Sequence, residues 1–91
     1  MTHIVHLIVR GRVQGVGFRY YVLRRADSMG IAGWVRNRVD GSVEVEAEGP
    51  RAKIERLVAA VLRGPAGAHV TAVEQEWSER MPGHRGFRVT G

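Results

Sequence analysis

Cysteine is absent from the whole chain of 91 residues. That excludes disulfides, thiolate nucleophiles and cysteine-based zinc sites. No apolar run approaches the roughly 20 residues that a membrane-spanning helix requires. The start, Met1-Thr2-His3-Ile4-Val5-His6, lacks the basic segment and long apolar stretch of a secretory signal. No linker, internal repeat or low-complexity segment interrupts the chain. Lysine is almost missing: of 14 basic residues, 13 are arginine and only Lys53 is lysine. These absences leave residues 1–91 as one small domain, expected to be soluble, cytoplasmic, monomeric and without a membrane partner.

What is present fits a packed domain. Hydrophobic residues make up 44% of the chain, enough for a real core. The formal net charge is +5. Two readings of the arginine excess stand side by side: a surface that attracts nucleic acid or small anions, or the base composition of the source genome. The positive charge is not gathered into one block, because Glu44, Glu46, Glu48, Glu74, Glu76 and Glu79 form acidic stretches of their own.

The periodicities place the elements. His3–Arg10, with Ile4, Val5, Leu7, Ile8 and Val9, suits a central strand buried on both faces. A helix is expected from about Phe18 to Met29, since Phe18, Val22, Ala26 and Met29 share one face, with Gly30 as its C-terminal cap. Ile31–Val39 reads as strand, Asp40-Gly41 as a turn, and Ser42–Glu48 as a strand with Val43, Val45 and Ala47 inward and Glu44, Glu46 and Glu48 outward. A three-residue loop, Val39 to Gly41, sets Val45 opposite Val35 and Val43 opposite Asn37, with Gly41 left-handed in a bulged turn. Pro50 opens a second helix at its first position. Its stripe is Ile54, Leu57, Val58, Val61 and Leu62, and Gly64-Pro65 stops it. His69–Trp77 is a further strand, and Phe87-Arg88-Val89 a short edge strand.

The order β-α-β-β-α-β is the split βαβ, ferredoxin-like arrangement of the α+β class. It predicts an antiparallel sheet in the order 4-1-3-2, a fifth edge strand, and both helices on one face. The first and second strands then run the same way. Their C-terminal ends meet at one edge, bringing Arg19 and Asn37 together although they are 18 positions apart.

The chemistry concentrates at that edge. Gly11-Arg12-Val13-Gln14-Gly15-Val16-Gly17-Phe18-Arg19 leads from a strand into a helix. Its glycines let the backbone approach a ligand, and a helix N-terminus gathers N–H groups and a positive dipole end. The pattern is neither a P-loop, which needs Lys followed by Ser or Thr, nor a dinucleotide fingerprint, which needs a third Gly where Tyr20 stands. No HExxH or EF-hand pattern occurs, and His3, His6, His69 and His84 show no ligand spacing. No metal or cofactor is expected. A cation at a positive helix end suggests an anion held between them, and an arginine fork grips two phosphate oxygens. Arg19 also has a plain alternative, a first-turn residue that only reaches solvent. Asn37 has one as well, bonding its own backbone beside the turn; its functional role would be to hold a water by its amide. Trp34 and Trp77 read as strand-face packing. Arg36 and Arg38 read as solvated on the opposite sheet face.

The chain closely resembles the acylphosphatase family. One motif is Val9-Arg10-Gly11-Arg12-Val13-Gln14-Gly15-Val16-Gly17-Phe18-Arg19; the other is Gly33-Trp34-Val35-Arg36-Asn37, followed by Gly41, Val43 and Gly49. Neither departs from the family's pattern, and the resemblance covers essentially the whole chain. It implies the ferredoxin-like sandwich and metal-independent hydrolysis of small acyl phosphates to a carboxylate and inorganic phosphate. It also implies that Arg19 is the phosphate-binding catalytic arginine and that Asn37 positions the attacking water. The N–H groups of Gly15, Val16, Gly17, Phe18 and Arg19 would form the phosphate cradle. Two alternatives stand beside this reading. A nucleic-acid-binding module stacks bases on sheet aromatics, whereas the third strand here offers Ser42, Glu44, Glu46 and Glu48 on its outer face. An acylphosphatase-like domain handling carbamoyl phosphate inside a larger maturation protein is opposed by the length and by the lack of flanking zinc-type motifs.

Overall fold

The computed structural model describes residues 2–91. Its elements are β1 (Thr2–Arg12), α1 (Phe18–Ser28), β2 (Ala32–Asn37), β3 (Val43–Gly49), α2 (Arg51–Arg63), β4 (His69–Arg80) and β5 (Phe87–Thr90). They form one five-stranded sheet in the order β4-β1-β3-β2-β5. The first four strands take the expected 4-1-3-2 order with antiparallel neighbours. β5 is parallel to β2, so the sheet is mixed rather than wholly antiparallel. The reason is the route of the chain. β4 ends opposite the start of β1, and the segment 81–86 crosses the sheet to the same end of β2. Gly33 N–H bonds the Gly86 carbonyl there at 2.9 Å.

Alternation along the strands decides the core. Val5, Leu7, Val9, Val35, Val43, Val45 and Ala47 are fully buried on one face, against Phe18, Val22 and Ala26 of α1 and Ile54, Leu57, Val58 and Val61 of α2. Leu62, expected in the same stripe, is half exposed. Pro50 stands one position before the helix rather than inside it; its carbonyl accepts from Lys53 and Ile54. α1 ends as expected: the Ile31 N–H returns to the Ala26 carbonyl and the Gly30 N–H to that of Asp27, a Schellman closure. Because Ile31 is used in that closure and Arg38 in the following turn, β2 is shorter than the predicted Ile31–Val39. The hairpin register is the one expected, Val35 opposite Val45 and Asn37 opposite Val43. Leu7 has no exposed surface on the central strand. Leu7→Ala should therefore cost about 2–5 kcal/mol, read by urea denaturation, a large share of the roughly 5–15 kcal/mol that holds a small domain together. A loss under about 1 kcal/mol would contradict this placement of the core.

The other face corrects one expectation. Glu44, Glu46 and Glu48 do point away from the helices, but not into open solvent: Glu44 and Glu48 are buried and Glu46 half-buried. Each has partners. Glu44 lies between His6 Nε2 at 2.5 Å and Arg36 Nε at 2.6 Å. Glu46 meets His84 Nε2 at 2.6 Å and accepts from Arg80 at 2.9 Å. Glu48 accepts the Gly83 N–H at 3.0 Å. Burial pushes the Glu44 carboxyl up, but the hydrogen bonds from His6 and Arg36 outweigh it and hold the group below its ordinary value. Ile4 and Ile8 are buried on this same face, so β1 is indeed covered on both sides.

Candidate active site

The loop 13–17 is shaped by where its side chains go. Val13 and Phe18 are buried at its two ends, and Val16 packs half-buried on the core between them. With those side chains turned inward, the backbone at Gly15 and Gly17 is left exposed. Gly15 has φ 76° and Gly17 φ 77°, while among the described residues no non-glycine has positive φ. The sign therefore alternates through Val16. Such alternation tips successive N–H groups toward one side and makes an anion-binding concavity. A Cβ at either glycine would meet nothing within 4 Å, so it is the backbone conformation, not space, that requires glycine.

Among the described residues, the N–H groups of Gly15, Val16, Gly17, Phe18, Arg19 and Tyr20 bond nothing; the helical ladder begins with Tyr21 N–H to the Gly17 carbonyl at 3.0 Å. Gly17 caps α1 without a side-chain hydrogen bond, and no acidic residue stands in the first turn. A helix start usually carries such a cap. Here the donors and the positive dipole end are both open to a ligand.

Arg19 sits half-buried in that first turn. Arg10, Arg36, Arg51 and Arg80 each pair with a carboxylate, whereas Arg19 pairs with none among the described residues. Asn37 ends β2 on the helix-facing row that begins with Gly33 and Val35. Its Oδ1 is buried and has no hydrogen-bond partner among the described residues. A buried acceptor left without a donor costs about 1–3 kcal/mol, so one is expected to be supplied. Arg36 turns to the opposite sheet face as expected, though paired with Glu44 rather than simply solvated.

Sequence reasoning gave no role to the residue that joins the two halves of this site. Gln14 Nε2 donates to the carbonyls of Arg38 at 2.7 Å and Ser42 at 3.0 Å. Both belong to the β2–β3 turn that begins directly after Asn37. The turn is itself fixed by Arg38 N–H to Ser42 carbonyl at 2.8 Å, with Gly41 at φ 91°. Ser42 donates through both its hydroxyl and its N–H to Asp40, holding that carboxyl down at about 2. No local signal in the sequence marks this role of Gln14, since its partners are backbone carbonyls 24 and 28 residues away. Among the described residues, no group of three or more His, Asp or Glu side chains could hold a metal ion.

Comparison with known proteins gives this geometry a context. The family model for acylphosphatase matches residues 5–89. An acylphosphatase of Salinibacter ruber is 51% identical over 81 residues, covering 89% of this chain and 85% of its own. The crystal structure of the Bacillus subtilis acylphosphatase superposes with a TM-score of 0.94 at 44% identity, with 100% of each chain covered. HypF from T. kodakarensis aligns with 96% of this chain at 30% identity and a TM-score of 0.82, through only 12% of its own length.

Proposed function

The chain belongs to the acylphosphatase family, and on that premise we propose that its active site is the mouth between the 15–19 loop and Asn37. The protein is an enzyme that hydrolyses acyl phosphates. In the reading proposed here, the phosphoryl group sits in the cradle of N–H groups from Gly15, Val16, Gly17, Phe18 and Arg19. The Arg19 fork holds two of its oxygens. Asn37 Oδ1 accepts a hydrogen bond from the attacking water, which leaves a lone pair of the water oxygen free to face phosphorus. Attack is in line, the O–P bond to the acyl group breaks, and a carboxylate departs with the bonding pair. The water's proton passes to a phosphate oxygen of the substrate. A carboxylate is a good leaving group, so no general acid is required. Catalysis of this kind is mostly positioning and stabilisation of charge on the transferring group.

One observation supports this reading most directly: an unpartnered, buried acceptor stands at the same sheet edge as a row of unpartnered donors. The first needs a donor such as water, and the second needs an anion. We further propose that residues 1–91 act as one unit, monomeric and cytoplasmic, on a small-molecule substrate without metal, cofactor, nucleic acid or membrane. Among the described residues, no helix is long and apolar enough to cross a membrane. The test is benzoyl phosphate hydrolysis, followed by loss of ultraviolet absorbance, with and without excess EDTA. Turnover is expected to be undiminished by the chelator. Activity that vanishes in EDTA and returns with a divalent cation would overturn the metal-free mechanism.

A further inference from the structure

We propose that Gln14 is a positioning residue whose side-chain amide sets the register between the phosphate cradle and Asn37; the proposal rests on the roles assigned to those groups above. The need for such a bridge follows from the sheet. β1 pairs with β3 only as far as Val9 opposite Val43, and its pairing with β4 slips between Arg10 and Gly11. Beyond that point no β-ladder ties the cradle to the β2–β3 hairpin. Val13 and Val16 press the loop onto the core, but apolar packing is non-directional and does not by itself orient the N–H groups of the loop toward Asn37.

Two polar contacts span the gap among the described residues. Arg10 approaches Asp40 at 3.5 Å, but both side chains are well exposed and Arg10 is already bonded to Glu74 at 2.6 Å. Exposed pairs of this kind contribute little. The other contact is the Gln14 amide, half-buried, with one N–H for each of two carbonyls. The Arg38 carbonyl belongs to the residue after Asn37, and Ser42 precedes Val43, the strand partner of Asn37. Both acceptors are also used by the turn itself, through Gly41 N–H to Arg38 and Arg38 N–H to Ser42. Gln14 therefore grips a turn that cannot move without carrying Asn37 along. In-line attack tolerates little misplacement of the water, so a cradle free to shift against Asn37 would still bind phosphate and would react slowly.

The experiment is a double-mutant cycle. Gln14→Met keeps the length of the side chain and removes the amide. It is expected to lower kcat for benzoyl phosphate by roughly 10- to 100-fold, with the inhibition constant of inorganic phosphate close to wild type. On an Asn37→Ala background it should lower kcat no further, because the water has already lost its guide. An unchanged kcat would overturn the proposal. So would a loss of equal size on both backgrounds, or a phosphate affinity that falls in step with kcat. If Gln14→Met does not fold, the cycle is read on Gln14→Ser. Failure of both to fold would assign the bridge to the stability of the fold and end the proposal. Should Asn37→Ala itself leave kcat unchanged, the role of Asn37 fails first and the proposal falls with it. A collapse in Asn37→Ala beside normal turnover in Gln14→Met sinks the proposal alone.

Discussion

Arg19→Ala is expected to lower the rate of benzoyl phosphate hydrolysis by on the order of 10²–10³, by analogy with removing one donor from an oxyanion site, in a protein that stays folded. Arg19 is half-buried in the first turn of α1 and pairs with no carboxylate among the described residues. A cation there works against the helix dipole, and relieving it should be neutral to stabilising, within about 1 kcal/mol. Activity should therefore fall while stability holds or rises, which a loss through misfolding cannot imitate. Arg19→Lys keeps the charge and loses the planar fork, so it should fall between wild type and Arg19→Ala. Urea melts run beside the kinetics decide the matter. A folded Arg19→Ala with near-normal kcat/KM would remove Arg19 from the site.

Much of this could be read from the sequence because local signals agreed with one another. Valines alternating in β3 and the Asp40-Gly41 turn left one register that kept Val35 and Val45 on the same side, and that register is observed. Once the strand order was inferred, Arg19 and Asn37 had to lie at one edge. Less was legible where a residue's state depends on distant partners. Alternation showed that Glu44, Glu46 and Glu48 face away from the helices. It could not show that His6, Arg36, His84 and the N–H of Gly83, most of them far away in sequence, would bury and satisfy them. The parallel pairing of β5 was hidden for the same reason, since it depends on the path of the 81–86 segment rather than on the pattern of Phe87–Thr90. Gln14 is the sharpest case. Its neighbours told of a glycine-rich turn, while its partners are two backbone carbonyls, and carbonyls carry no sequence signature.

Asn37→Ala separates binding from chemistry, and its effect should be nearly as large. Without Oδ1 the water has no fixed acceptor, and kcat should fall by on the order of 10² from lost positioning. The cradle donors and Arg19 are untouched, so inorganic phosphate should inhibit the variant about as well as wild type. Fold stability should hold, because the removed oxygen is buried without a protein partner and such an atom contributes nothing favourable. Asn37→Asp supplies the contrast. It keeps the shape and the acceptor oxygen but places a negative charge beside the bound phosphate. That variant should lose phosphate inhibition as well as turnover, and adding salt should ease the loss only partly, since screening is weak for a partly buried charge. Kinetics with phosphate as competitive inhibitor distinguish the two variants directly. If Asn37→Ala weakens phosphate binding as much as it slows turnover, Asn37 holds the phosphate rather than the water, and the attacking water must be guided by the substrate's own oxygens.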